Sequence, residues 1–219
     1  MKIVYNFVSL VALGNFNPAM ATPEFLNKDC GLNLGEPTDQ SPAAIPVHRR
    51  LQFQSLKFLV DMDRLEIMET GIKNISETKM VGYFDSYYRK LPYTPLRAVG
   101  LNINCDLTAE TGITSKVLLE KISSPQTYLD FLDVKDVDAT ERSLQTKTDK
   151  TWISSNYRIE NVRGLTRLIN ISKRKASFNL NYNYEAGNLD KDKSGLQLLL
   201  DGYEDFCDEF LNFVKFLES

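Results

Sequence analysis

The nine residues from Ala176 to Tyr184 have the sequence ASFNLNYNY, in which apolar and polar side chains alternate without interruption. Such alternation predicts a β-strand with one face on an apolar core, as is typical of antiparallel sheets. Residues 97–107 repeat the pattern, with an apolar row of Val99, Leu101, Ile103 and Cys105 opposite a polar row of Asn102, Asn104 and Asp106. The two segments therefore predict two strands of one antiparallel sheet.

Four further segments extend this sheet. Residues 3–13 are almost continuously apolar and predict a central strand covered on both faces. Residues 50–70 alternate on either side of a polar break and predict one antiparallel hairpin. Residues 152–171 predict one long strand, while 133–150, rich in Asp, Thr and Lys, predicts a mobile loop or a weak edge strand.

Helical spacing of apolar residues appears in three places. Ser76 is predicted to cap a helix that Pro92 ends, residues 113–132 predict an interrupted helix, and about 195–218 predict a long amphipathic helix. Short helical turns are expected within 18–29. Together these elements predict a single α+β domain over residues 1–219, a two-layer sandwich whose mostly antiparallel sheet carries helices on one face.

Composition limits the classes of protein. The 219 residues are 42% hydrophobic and 25% charged, with a net charge of -3, which excludes a disordered, collagen-like or disulfide-scaffold protein. The cysteines, Cys30, Cys105 and Cys207, are odd in number and widely spaced, which predicts buried thiols in a reduced cytoplasm. The alternative is a signal peptide with an A-x-A cleavage site at Ala19–Ala21. No apolar run is long enough to predict a membrane span.

Common catalytic and cofactor motifs are missing from the sequence. His48 is the single histidine and is interpreted as a surface residue, and no Walker, G-x-G-x-x-G or G-x-S-x-G pattern occurs. No cofactor and no catalytic residue are therefore predicted. A weak calcium-loop match joins Asp190, Asp192, Ser194 and Asp201. The stronger interpretation of this segment is a charged turn followed by a helix that Ser194 caps.

Charge is unevenly distributed. Residues 157–175 carry six basic residues against Glu160 alone, a net +5, whereas residues 195–219 carry six acidic residues against Lys215, a net -5. Mutual neutralisation across the fold is the first interpretation, and a surface for nucleic acid or an acidic partner is the second. That surface would consist of Arg158, Arg163, Arg167, Lys173, Arg174 and Lys175.

The last predicted helix carries more aromatic residues than one core-facing stripe requires. The surplus predicts a protein interface or a homo-oligomer. Its members are Phe210, Phe213, Val214, Phe216 and Leu217.

Two short segments resemble a group of uncharacterised bacterial proteins of similar length. These segments are VALGNFNP at 11–18, which contains a G-x-F-N-P turn, and LRAVGLN at 96–102. The resemblance implies an N-terminal strand followed by a turn and brings no established activity. From the residues alone, Gly14 is expected to end the strand, Asn17 to cap the turn and Pro18 to open it.

The sequence therefore favours a non-enzymatic, cytoplasmic protein that binds another protein or itself, as a subunit or adaptor of a bacterial system. A defence-related or a chaperone-like role fits this class. The alternative is a nucleic-acid-binding module that uses residues 157–175, and a third class is an enzyme with carboxylates that the sequence does not identify.

Overall fold

The computed structural model describes residues 2–41, 47–91, 93–108, 137–147, 150–159, 163–172, 175–185, 197 and 200–218, and from 107 to 185 it describes the backbone pairing of the strands. The strands are β1 (Lys2–Gly14), β2 (Asp39–Gln40), β3 (His48–Phe53), β4 (Leu56–Asp61), β5 (Arg64–Glu69), β6 (Leu96–Thr108), β7 (Val137–Lys147), β8 (Lys150–Ile159), β9 (Arg163–Ser172) and β10 (Lys175–Glu185). The helices are α1 (Met80–Tyr88) and α2 (Tyr203–Glu218).

All ten strands belong to one sheet in the order β2-β3-β4-β5-β1-β6-β10-β9-β8-β7. Every neighbouring pair is antiparallel. The sheet is open, with β2 at one edge and β7 at the other. The predicted α+β class and its antiparallel sheet with helices on one face are confirmed for the described residues.

The N-terminal strand is central, as predicted, because β1 pairs with β5 on one side and β6 on the other. The side chains on the two faces of β1 are buried to different extents, which corrects the prediction that both faces are covered. Val8, Leu10 and Ala12 are fully buried on one face, whereas Val4 and Leu13 are 43% and 38% exposed.

The turn after β1 forms as its sequence implies. The Asn17 side chain accepts a hydrogen bond from the backbone N–H of Ala19, and Pro18 begins a 3₁₀ turn over Pro18–Met20. Gly14 is required by close packing, because a Cβ atom there would lie 2.6 Å from the carbonyl oxygen of Pro95. The strand therefore ends at the one residue that this approach permits.

In two segments the structure contains one strand more than the sequence predicts. The predicted hairpin at 50–70 is three strands, β3 to β5, because the buried positions shift phase between Phe53 and Leu56, where the chain turns. The predicted strand at 152–171 is two antiparallel strands, β8 and β9. The segment 133–150 contains β7, so of its two predicted forms the edge strand is the one observed.

The helix predicted after Ser76 is shorter than expected. Ser76 is not a helix cap: Asn74 caps a 3₁₀ turn over Ile75–Glu77, and α1 begins only at Met80. A π-helical turn spans Phe25–Asp29, within the predicted helical region at 18–29. The predicted helix at 113–132 lies outside the described residues, and the long C-terminal helix is described from Tyr203 to Glu218.

The core lies between the helices and one face of β1, β3, β4, β5 and β6. Cross-strand pairing aligns its rows: Leu10 is opposite both Leu101 and Ile67, and Ile67 is opposite Phe58. Such pairs on one face are the contacts that stabilise a sheet. The helices complete the layer with buried residues that include Phe84, Tyr87, Phe206, Phe210 and Phe213.

Candidate functional site

The four predicted basic residues that lie in the described strands divide between the two faces of the sheet. Arg163 and Arg167 occupy alternate positions of β9 and therefore share a face. Arg158 is opposite Gly164 and Lys175 is opposite Ser172, positions on the other face. The positions Gly164 and Ser172 lie near opposite ends of β9, about 26 Å apart at the rise of an extended strand. Lys173 and Arg174 lie outside the described residues.

The predicted interface residues of α2 mostly serve the core of the chain itself. Phe210, Phe213 and Val214 are buried, and Phe216 is half-buried against the core. The Phe210 ring packs at 5.9 Å from that of Tyr5 on β1. The side chain of Leu217 is not among those described. In this structure the buried aromatic residues of α2 are therefore not available to a partner.

Three of the four residues of the predicted calcium loop, Asp190, Asp192 and Ser194, lie outside the described residues. Asp201 is exposed and its carboxylate accepts a hydrogen bond of 2.7 Å from the Gln197 amide. Among the described residues no group of three or more His, Cys, Asp or Glu side chains is arranged to hold a metal ion.

A histidine–aspartate pair lies at the end of the β3–β4 hairpin. The Nδ1 atom of His48 is 2.6 Å from an Asp61 carboxylate oxygen, and both side chains are about two-fifths exposed, at 42% and 39%. Sequence inspection missed this pair because the residues are 13 positions apart and meet only through strand pairing. The carboxylate orients the imidazole, as in many catalytic and metal sites.

Arg49, the neighbour of His48, is a buried cation on the core face. Its guanidinium donates hydrogen bonds to the backbone carbonyls of Ala21 and Ser41, at 3.2 and 2.8 Å, and to the Gln40 side chain at 3.1 Å. These acceptors belong to the turn after β1 and to the segment around β2. Arg49 therefore fastens both segments to the edge of the core.

The three cysteines are free and buried, as predicted. Burial is the main cause that raises the pKa of Cys30 to about 11 and that of Cys105 to about 12, and it also raises the pKa of Cys207. A thiol with a raised pKa is a poor nucleophile at neutral pH because the thiolate is the reactive form. The positions of these cysteines therefore suit packing better than covalent catalysis.

One polar pocket lies on the surface beside the π-helical turn, with a volume of about 580 Å³. It is lined by Thr22, Pro23, Glu24, Asn27, Lys28 and Glu36. Asn27 shapes it by bonding to the loop that follows, with its amide donating to the Gly35 carbonyl at 2.7 Å. The Glu24 and Lys28 side chains that border the pocket pair with each other at 2.8 Å.

The strands β7 to β10, called here the distal half of the sheet, continue it beyond β6. Pairing places Phe178, Leu180 and Tyr182 of β10 opposite Cys105, Ile103 and Leu101 of β6, which are buried core residues. On β9 the same face is mixed, since Leu165 is opposite Tyr182 but Arg167 is opposite Leu180. Among the described helices, α1 packs on β1 and β5, and α2 packs near the 3₁₀ turn at Ile75–Glu77.

No protein-family model matches the chain. No curated protein matches its sequence either. In the part of the chain that is described, none of the helices has both the length and the apolar character needed to cross a membrane.

Proposed function

We propose that this protein works by binding another protein, as a subunit or adaptor, and that the distal half of the sheet is its binding region. The observation that carries the proposal is the apolar row of Phe178, Leu180 and Tyr182 that β10 adds to the core face. On β9 this face carries Leu165 and Ile169 together with Arg163 and Arg167. Phe178 and Leu180 continue the rows of Cys105 and Ile103 in register. Large contiguous apolar surfaces in soluble proteins commonly bind other proteins.

The polar row of the same strand supports a one-sided interface. Asn179 and Asn181 alternate with the apolar residues and pair with Asn104 and Asn102 on β6. On that face Asn6 also donates a hydrogen bond of 2.8 Å to Asn104. The binding partner in this proposal therefore approaches the apolar face, from the side on which the helices lie.

Site-specific photo-crosslinking in the native host tests the proposal. A photoreactive amino acid at Tyr182 is expected to capture a defined protein, whereas the same group at Asn181, one residue along on the opposite face, is the matched control. Both variants must keep the wild-type far-ultraviolet circular dichroism. Equal capture from the two positions, or capture of nucleic acid only, would contradict the proposal.

A chaperone-like variant of the proposal has its own readout. A binder of unfolded chains is expected to slow the aggregation of a reduced, unfolded model protein, and Tyr182→Lys to abolish this effect while Asn181→Lys retains it. If the protein captures one folded partner and leaves aggregation unchanged, the adaptor role stands and the chaperone-like role does not.

A further inference from the structure

The strand β7 forms one edge of the sheet and is unusually long for an edge. It has 11 residues, whereas β2 at the opposite edge has two. Among the described strands β7 pairs only with β8, so its outer N–H and C=O groups have no strand partner in the part of the sheet that is described. Unpaired edges of this length can pair with a further strand.

A bulge defines which part of β7 is regular. The register shifts between Ala139 and Glu141, so residues 141–147, with the sequence ERSLQTK, form the uninterrupted segment. Its central residue is Leu144, and its two ends are the acidic Glu141 and the basic Lys147. The segment contains neither proline nor glycine, so each of its residues supplies a backbone donor and acceptor.

Two-fold symmetry permits few registers between two copies of this segment. In an antiparallel pair related by an axis through the sheet, one residue must lie opposite its own copy. A register centred on Arg142 or Glu141 opposes like charges, which is unfavourable. The register centred on Leu144 opposes Leu144 to its copy and Glu141 to Lys147 at both ends.

The Leu144-centred register also compensates a pair of like charges within the chain. Lys147 lies opposite Lys150 on β8, so two like charges occupy neighbouring positions of one hairpin. In the paired dimer Lys147 would have Glu141 of a second copy on its other side. All seven regular residues are used, which corresponds to a paired length of about 23 Å.

We propose that two copies of this chain pair antiparallel through residues 141–147 of β7, centred on Leu144, to form one continuous sheet. The two-fold axis runs through the sheet, so the helices of both copies lie on the same side. The distal halves then meet at the centre of the dimer, and their faces that carry Phe178, Leu180 and Tyr182 lie on the same side. The dimer does not depend on the proposed function, because the edge and the face are different surfaces.

Charge reversal tests the dimer. The wild-type chain is expected to show a dimer mass in light scattering and sedimentation equilibrium at micromolar concentrations. Glu141→Lys and Lys147→Glu are each expected to raise the dissociation constant roughly tenfold or more, because each turns two attractive pairs into two repulsive ones. Asp138→Lys, on the other side of the bulge, is the control and should leave the mass unchanged.

Mixing the two variants supplies the decisive measurement. Glu141→Lys and Lys147→Glu carry opposite charges at both ends of the segment, so together they should form a heterodimer, and the double variant should regain the homodimer. A monomeric wild-type chain, or a dimer that neither reversal weakens, would overturn the proposal. If the dimer forms as expected but Tyr182 captures no protein, the proposed function fails and this inference stands.

Discussion

Strands in both halves of the sheet alternate apolar and polar residues, but the apolar faces of the two halves differ in what surrounds them. In the half formed by β1 to β6, called here the core half, helix residues cover the apolar face, with Tyr87 beside Phe58 and Phe210 beside Tyr5. Leu10, Leu65 and Phe58 have no exposed surface. In the distal half the apolar row continues in register through Phe178, Leu180 and Tyr182 of β10, and on β9 the same face carries arginines as well as Leu165. Strand alternation therefore specifies which face is apolar, and only the elements packed on that face decide whether it is a core or a binding surface.

Truncation of one leucine in each half is the strongest test of this contrast. Leu10→Ala is expected to lower the free energy of unfolding by about 2–5 kcal/mol, because it leaves a cavity in a fully buried site. Leu180→Ala should cost the isolated protein clearly less if the distal face is completed by a partner. Urea denaturation of both variants measures the difference.

The control for this comparison is Leu13→Ala, on the same strand as Leu10 but 38% exposed on the other face. It should change stability by less than about 1 kcal/mol. Equal costs for Leu10→Ala and Leu180→Ala would show that the distal row is as fully packed as the core, and the contrast between the halves would then disappear.

The second prediction concerns the outer edge of the core half, where two neighbouring arginines differ. Arg49→Met should lower the free energy of unfolding by on the order of 2 kcal/mol, because the carbonyls of Ala21 and Ser41 lose their donor. Arg50→Met is the matched control. Its guanidinium is exposed and pairs with exposed Asp39 at 2.7 Å, an interaction worth less than about 1 kcal/mol.

Thermal unfolding followed by circular dichroism distinguishes these two variants. The same experiment tests whether Arg49 holds the segment around β2 in place, since amide hydrogen exchange at Gln40 and Ser41 should accelerate in Arg49→Met. Similar losses of stability in both arginine variants would mean that charge, and not the buried hydrogen bonds, supports this edge.

The sequence predicted the strands whose alternation is uninterrupted and failed where alternation changes phase. The apolar row from Val99 to Cys105 was placed on the correct face because its members alternate with Gly100, Asn102 and Asn104 in β6. The turn after Phe53 was missed because Gln54 and Ser55 carry no strong turn signal. The start of α1 was misplaced because Ser76 is a good cap residue by type, whereas the chain forms a 3₁₀ turn there and α1 begins at Met80 without a side-chain cap.

Candidate site residues were harder to predict than the fold. The His48–Asp61 pair and the Arg49 hydrogen bonds join residues that are distant in the chain, and no local pattern indicates them. The aromatic residues of α2 appeared to exceed the needs of one stripe, yet Phe210 and Phe213 are both buried. The width of the apolar stripe on a helix depends on the surface against which the helix packs. Here α2 faces a broad sheet together with the segment around Ile75.

The smallest predicted effect concerns two tyrosines of α1 whose hydroxyl groups differ in their hydrogen bonding. The hydroxyl of Tyr88 donates a hydrogen bond of 2.8 Å to the carbonyl of Thr94. The hydroxyl of Tyr87 is buried and has no hydrogen-bond partner among the described residues, while its ring packs edge-on against Phe25 at 5.8 Å. Burial accordingly raises the pKa of Tyr87, and the neighbouring Cys30 raises it further.

Replacement by phenylalanine should change the free energy of unfolding in opposite directions at these two tyrosines. Tyr88→Phe is expected to lower the free energy of unfolding by about 1 kcal/mol because the Thr94 carbonyl loses a donor. Tyr87→Phe should raise it by about the same amount, since it removes a buried hydroxyl that has lost its hydration without gaining a bond. Parallel urea titrations give the two signs. A loss of stability in Tyr87→Phe would mean that a bound water molecule or ligand bonds this hydroxyl, and the core half would then contain a polar site of its own.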